Sequence, residues 1–261
     1  MQPTPSLSKL NALILAGSRS SGADPLDAFS KDHKAFIDIG GVPMINRVIN
    51  ALCNVETVDN IWVSVPEEIR DRFDILQSPT HKLAITNACP SPATTIESTV
   101  NAMEEGTELL VTTCDHALLT PEIIQNFLDQ IDRSTCDAAA ACVSQDIVSA
   151  AYPEAKRTFI RFSDITFSGA NLFWMKKGAS EPLIGFWRRL ENNRKHPIKM
   201  ASEFGLTMGL RYFAGILSTQ CVINKIHQLT KVRVSLKALP FANAAIDVDK
   251  PQDVELVRSL V

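Results

Sequence analysis

The 261-residue sequence holds no CxxC pair and no His/Cys cluster, which removes the usual signatures of a zinc ribbon or a thioredoxin-type redox site. Its six cysteines, at positions 53, 89, 114, 136, 142 and 221, several of them inside apolar runs, are therefore expected to be free thiols in a reducing cytoplasm. A basic excess is also missing. Lys and Arg total 26 against 29 Asp and Glu, for a net charge of −3 and a pI near 6.0, so nucleic acid is not an expected partner. Met1–Pro5 carries no basic segment that would begin a signal peptide. Residues 204–217 are apolar but interrupted by Arg211 and by glycines, which suits a packed or surface helix rather than a membrane span. Internal repeats and low-complexity tracts are absent.

What is present is an apolar content of 45% beside 21% charged residues, ordinary for a globular protein with a proper core. The length suits one large α/β domain. Residues 1–9 read as a flexible, proline-bearing tail and 10–261 as a single domain, with an acceptor-side insertion at roughly 144–230. Leu10–Ala16, Ile61–Val65 and Leu109–Thr113 read as buried strands. Pro43 opens a helix whose Met44, Ile45, Val48, Ile49 and Leu52 recur at helical spacing, and a second helix is expected after Thr95. Thr120-Pro121-Glu122 starts a third, with threonine as cap and proline in the first turn. Strand, loop and helix thus alternate to about residue 143, which implies parallel strands with crossover helices. Beyond that, Thr158–Phe162 and Asn171–Met175 read as strands around a turn at Ser168-Gly169. Helices fill roughly 180–229, Val232–Ala238 and Ala244–Val248 return as strands, and a last helix begins near Pro251.

Three stations at the ends of these apolar runs carry chemistry, and in open α/β sheets ligands bind beyond the carboxyl ends of the strands. The first is Gly17-Ser18-Arg19-Ser20-Ser21-Gly22, with Lys34 downstream. Gly17 permits close backbone approach and positive φ, the following N–H groups can face a polyphosphate, and Arg19 can neutralise it. A surface loop and a strand-edge lysine fit the same residues. The second is Asp115, delivered directly after a buried strand, where a carboxylate is costly unless paired, hydrogen-bonded or bound to metal; capping the next helix is its alternative. His116 beside it reads as a neighbouring or surface group. The third is Asp247-Val248-Asp249, whose carboxylates share one side of an extended chain. Asp249 also resembles the cap of a helix with Gln252 at the third position, and Asp253 reads as an exposed first-turn carboxylate.

Leu15-Ala16-Gly17-Ser18-Arg19, Lys34 ahead of Ile39-Gly40-Gly41-Val42-Pro43-Met44, Asp115 through Glu122, and Ile246 through Asp253 together resemble the MobA-like NTP transferase superfamily. The resemblance spans most of residues 10–143 and the final stretch of the chain. It implies a Rossmann-like three-layer α/β/α sandwich with a mostly parallel central sheet, the glycosyltransferase-A-like fold. By position, it implies that Ala16, Gly17, Ser18 and Arg19 line a triphosphate and that Lys34 stabilises charge on the α-phosphate. Asp115 with Asp247 or Asp249 would hold Mg²⁺, with Mn²⁺ as a substitute. Thr95 is implied as a base or ribose contact, with a helix cap as the competing role, and Gly169 and Asn171 as acceptor contacts, with a tight turn as theirs. Two departures stand out: Ser18 replaces the second glycine of the usual loop, and the interval from Gly17 to Lys34 is longer.

The expected activity is a Mg²⁺-dependent nucleotidyl transfer from an NTP to a phosphorylated small molecule, releasing pyrophosphate. A sugar-nucleotide-dependent glycosyltransferase and a silent nucleotide-binding protein of the same fold remain as alternatives. Arg157, Arg161, Arg188, Arg189, Arg194 and Lys195 make the middle region locally basic, suited to an anionic acceptor, to peripheral contact with anionic lipid, or to a solvated helix face. Phe186 and Trp187 read as core.

Overall fold

A computed structural model describes residues 10–17, 25–30, 33–74, 76, 82–193 and 203–261. The tail 1–9, the loop residues Ser18 to Gly22 with Arg19, and Arg194 and Lys195 lie outside the described residues.

Strand β1, Leu10–Leu15, occupies the middle of an eight-stranded sheet. It pairs in parallel with β4, Val58–Val65, on one side and β6, Glu108–Thr113, on the other, and β5, Lys82–Asn87, extends the parallel run beyond β4. Successive side chains of a strand point to opposite faces, and both faces here are apolar. Leu10, Ala12 and Ile14 join one core with α1, Met44–Cys53, and α3, Pro121–Asp129. Leu13 joins a second core with α2, Pro92–Ala102, and α5, Glu181–Asn192. Such near-continuous apolar strands are what a sheet covered on both faces requires, and the sandwich expected from the sequence is the one observed.

The other half of the sheet is mixed. Strand β9, Thr166–Lys176, inserts antiparallel between β6 and β7, Ala138–Ser144, and β10, Val234–Ala238, closes the edge parallel to β7. Against expectation there is no hairpin at Ser168-Gly169. The chain runs straight through as β9 and absorbs its surplus in a bulge, because Ala140 pairs with Phe173 while Cys142 already pairs with Gly169. Asn171, inside this bulge, takes a left-handed φ of 44°, which asparagine tolerates better than most residues. Only Ile160–Arg161 of the expected 158–162 strand forms, as β8 on the rim of β9. Residues 144–230 are therefore not all peripheral, since β9 is a central strand.

Further boundaries differ. Helix α2 starts at Pro92, ahead of Thr95, because Ser91 caps it: its hydroxyl accepts from Thr94 N–H while Thr94 Oγ1 accepts from Ser91 N–H. Residues 244–248 form no strand. A 3-10 turn, Ala242–Ala245, is followed by extended chain in which Ile246 and Val248 are buried and Asp247 and Asp249 are partly exposed. The remaining helices are α4, Gln145–Ala151, α6, Leu206–Phe213, α7, Thr219–Thr230, and α8, Pro251–Ser259. Among the described residues no helix is long and apolar enough to cross a membrane, and α6 lies on the surface. The cysteines are free, with 114, 136 and 142 buried.

Candidate active site

The carboxyl ends of β1 and β6 are locked together before the site begins. Ala16 N–H donates to Ser64 O at 2.8 Å, and Cys114 N–H donates to Leu15 O at 3.0 Å, so the sheet ladder extends past the strands and fixes where Asp115 emerges. The third station is tied to the second by a backbone bond, Val248 N–H to Asp115 O at 3.0 Å. Alternation on either side of buried Val248 then turns Asp247 and Asp249 to the same side, although no strand is present there.

Lys34 reaches this point from a 3-10 turn, Lys34–Phe36, that is capped by His33, whose Nδ1 accepts from Ala35 N–H at 3.2 Å. His33 packs edge-on against Phe73 and Ala35 is fully buried, which anchors the turn. Lys34 Nζ stands 2.5 Å from Asp115 Oδ2 and 3.9 Å from Asp249 Oδ1. Burial by itself would push the Asp115 carboxyl up, but the charge and hydrogen bond of Lys34 overcome it and hold Asp115 below the ordinary carboxylate range. Burial would lower Lys34, and Asp115 beside it reverses the sign and raises it. Both groups are charged at neutral pH. The Cys114 thiol between them is pushed up to about 12 by burial and stays protonated. His116 is fully buried with Nδ1 3.3 Å from Thr112 Oγ1, and burial drives it down to about 4. It is a neutral interior residue, not a surface group.

Asp247 sits in a different environment. Its carboxyl is pushed up, first by burial and then by the charges of Asp115 and Asp249, with Arg157 opposing. Arg157, whose side chain is 7% exposed, pairs with Asp247 Oδ1 through Nη1, and its Nη2 bonds both Asp247 O and Asp253 Oδ1 at 3.0 Å. Asn171 Nδ2 donates to Asp247 Oδ2 at 3.1 Å, so the bulge in β9 is what brings the middle of the chain to the third station. Asp253 is not the exposed carboxylate expected. Its Oδ2 accepts from the N–H groups of Asp249 and Lys250 at 3.1 and 2.9 Å. It caps α8, a part assigned to Asp249 and Gln252 from the sequence.

Of the residues singled out from the sequence, the structure gathers Lys34, Asp115, Asp247, Asp249 and Asn171. Gly17 follows Ala16 at the same sheet edge. It is exposed, its φ is not in the left-handed region, and a Cβ added there would meet nothing within 4 Å. Its use is open space rather than an unusual turn. The Ala16 N–H is engaged with Ser64 and cannot also donate to a phosphate. Thr95 is 4% exposed, its Oγ1 accepting from Cys89 N–H at 2.9 Å and donating to Ser91 O at 3.0 Å, so it braces the loop before α2 and does not cap the helix. Gly169 is exposed within β9, with open space above it. Ser18 and Arg19 lie outside the described residues. Arg188 pairs with Glu97 and Arg189 with Glu203, which engages the basic pair of α5. The residue missed is Arg157. Sequence counted it only as part of a basic region, and no spacing linked it to carboxylates some ninety positions away.

Among the described residues no group of three His, Cys, Asp or Glu side chains is arranged to hold a metal on its own. The donor set nevertheless fits Mg²⁺, which is commonly bound by one or two carboxylates plus substrate phosphates. Asp115 Oδ1 is buried with no hydrogen-bond partner among the described residues, and a cation would relieve the repulsion that raises Asp247. Asp115 with Asp247 or Asp249 could hold the ion, with Lys34 and the open space at Gly17 left to the nucleotide's phosphates.

Residues 12–199 match the family model of the MobA-like NTP transferase domain. No curated protein sequence matched the chain. Among solved structures, a hypothetical transferase from Thermus thermophilus aligns with a TM-score of 0.78 at 22% identity, covering 94% of this chain and 99% of that one. A 4-diphosphocytidyl-2C-methyl-D-erythritol synthase from Anaerococcus prevotii aligns at 0.59 and 10% identity over 98% and 99% of the two chains. A CMP:2-keto-3-deoxy-manno-octonic acid synthetase in complex with CTP aligns at 0.55 and 18% identity over 97% and 98%. Identities this low speak to the fold. The family match, which takes in the larger part of the chain, speaks to the class: the chain belongs to the MobA-like NTP transferase family and is a nucleotidyltransferase.

Proposed function

We propose that this enzyme transfers the nucleoside monophosphate of an NTP to a phosphorylated small molecule and releases pyrophosphate. The observation that carries the reading is the meeting of Lys34 with Asp115 and Asp249 at the carboxyl end of the sheet. A fixed cation beside paired carboxylates is what phosphoryl chemistry needs, since most of its barrier is removed by positioning and charge neutralisation. A phosphate oxygen of the acceptor attacks the α-phosphorus. The bond from that phosphorus to the bridging oxygen breaks, and pyrophosphate leaves with the electron pair. The acceptor oxygen is already anionic, so no general base is required. Lys34 compensates charge developing on the α-phosphate, and Arg19 is assigned the leaving phosphates. Mg²⁺ bound at Asp115 with Asp247 or Asp249 would supply Lewis-acid polarisation of the phosphate oxygens. Asn171, bonded to Asp247, and Gly169 would face the acceptor.

The CTP held by the synthetase of similar fold is consistent with a nucleoside triphosphate as substrate. The test is a pyrophosphate-release screen that crosses the four NTPs with phosphorylated sugars, phosphorylated alcohols and molybdopterin, with Mg²⁺ and with Mn²⁺. Release dependent on both NTP and acceptor is the expected result. Consumption of a sugar nucleotide without pyrophosphate, or tight NTP binding with no turnover across the panel, would overturn the reading.

A further inference from the structure

The mixed half of the sheet is not packed shut. Between its face and the helices α5 and α7 lies a cavity of about 360 Å³. Phe167 and Phe173 of β9 contribute its floor, and Ile184 and Trp187 of α5 and Val222 and Ile226 of α7 its walls. Apolar cavities of roughly 150 Å³ stay dry and take up hydrocarbons, and ligand pockets begin at roughly 300 Å³, so this void exceeds an ordinary packing defect. Its described lining is almost entirely apolar. Thr219 Oγ1 is bonded to Asp164 at 2.5 Å, Ser235 Oγ lies 3.2 Å from Cys136 Sγ, and the Trp174 indole donates to Glu108 at 2.9 Å. The space runs between the sheet face and helices α5 and α7, which suits a slender apolar chain.

Two features place one end of such a chain. Phe173 is two residues along β9 from Asn171, about 7 Å on a strand, and Asn171 holds Asp247 at the catalytic edge. At its rim, Phe162 lines the cavity and faces Tyr212 at 6.2 Å between ring centroids, and Ser163 N–H bonds Leu217 O. Beside this contact Leu210, Phe213 and Ile216 are 61%, 87% and 64% exposed, an apolar lip for chain that outruns the cavity. We propose that the phosphorylated acceptor of this enzyme carries an aliphatic chain, which lodges between the sheet and helices α5 and α7 while its phosphate reaches the site beside Asn171. This assignment rests on the nucleotidyl-transfer reading and names the chemical class of its acceptor.

The test uses the full-length protein and a series of monomeric alkyl phosphates from butyl to dodecyl, kept below their micelle concentrations, with binding read by calorimetry and by the fluorescence of the cavity tryptophans. Affinity is expected to rise about tenfold for each two methylenes added until the cavity fills, with the fluorescence changing in step. Ala140→Phe, opposite Phe173 on the cavity face of β7, narrows the cavity from the sheet and Ile226→Trp from the helix. Whichever variant folds like the wild type should bind dodecyl phosphate at least tenfold more weakly, with butyl phosphate and NTP affinities unchanged. Affinity independent of chain length, or wild-type dodecyl phosphate binding in both narrowed variants, would overturn the inference. Pyrophosphate release from short phosphorylated acceptors alongside a flat chain-length series would sink the chain site and leave the nucleotidyl-transfer reading standing. A steep chain-length series with no pyrophosphate release from any NTP and acceptor would sink the acceptor role itself.

Discussion

The two halves of the sheet solve different problems. In the parallel half, β5-β4-β1-β6, every strand ends at the same edge and both faces are filled. There the strand interiors leave little room for charge, and Asp115 is placed just past the end of β6 and gripped by Lys34. In the mixed half, β9 runs against its neighbours, carries a bulge and a left-handed Asn171, and borders an unfilled apolar space. Its contribution to the site, Arg157 and Asn171 on Asp247, comes from loop and bulge rather than from strand ends. In the proposed reaction the parallel half would fix the phosphate chemistry and the mixed half would adjust what is brought to it.

Variants can break that contrast, beginning where the effect is largest. Asp115→Asn keeps the size of the side chain and removes its charge. Turnover should fall by on the order of 10²–10³-fold, the loss typical of one preorganised electrostatic group, with the circular dichroism spectrum close to wild type and a lower melting temperature, because Lys34 loses its buried partner. Arg157→Ala should act chiefly on stability. It leaves Asp247 and Asp253 without their shared partner, and a loss of about 3 kcal/mol in urea unfolding is expected, at the low end for a buried pair because Asp247 remains 27% exposed. A change below 1 kcal/mol would show that the loop does not hold the third station.

Cys142 in β7 extends the comparison to pH. Burial pushes its thiol up to about 11 from an ordinary value near 9.0. Between these values the folded protein retains a proton that the unfolded chain has lost, so stability is intact below pH 9 and falls as pH rises toward 11. The loss approaches about 2–3 kcal/mol. Cys142→Ala should flatten that alkaline slope, and an unchanged slope would assign it elsewhere. At Asn171 the bulge itself can be probed. Glycine accepts φ 44° freely and alanine does not, so Asn171→Gly should be about 1 kcal/mol more stable than Asn171→Ala. Equal stabilities would mean that the bulge relaxes. The smallest effect is expected at Arg188, whose ion pair with Glu97 at 2.7 Å is solvent-exposed. Arg188→Ala should cost under about 1 kcal/mol.

The same contrast explains what could be read from the sequence. Parallel strands are uniformly apolar and end in a residue that must be paired, so Asp115 and the layered fold were legible from hydrophobic runs and their terminations. Lys34 was legible only as a candidate, because its 3-10 turn has no periodic signature. β9 was misread for a physical reason: Ser168-Gly169 has turn composition, and only the register with β7 reveals that a bulge absorbs the surplus residues. Asp247 was identified through a strand that does not form, yet extended chain around buried Val248 gives the same alternation. Arg157 and the capping role of Asp253 depend on contacts some ninety residues apart, and no local pattern announces them.

The central claim is that the carboxylates at the sheet edge and Lys34 gather on one nucleotide. Crystals grown with a non-hydrolysable NTP analogue and Mn²⁺ test it most directly, because the ion is located by anomalous scattering. The account predicts a single strong peak at about 2.1 Å from an Asp115 oxygen, the bond length of a small divalent cation, also touching Asp247 or Asp249, with Lys34 turned to the α-phosphate. A peak elsewhere on the chain, or a nucleotide bound while Asp115 stays free of the ion, would contradict it.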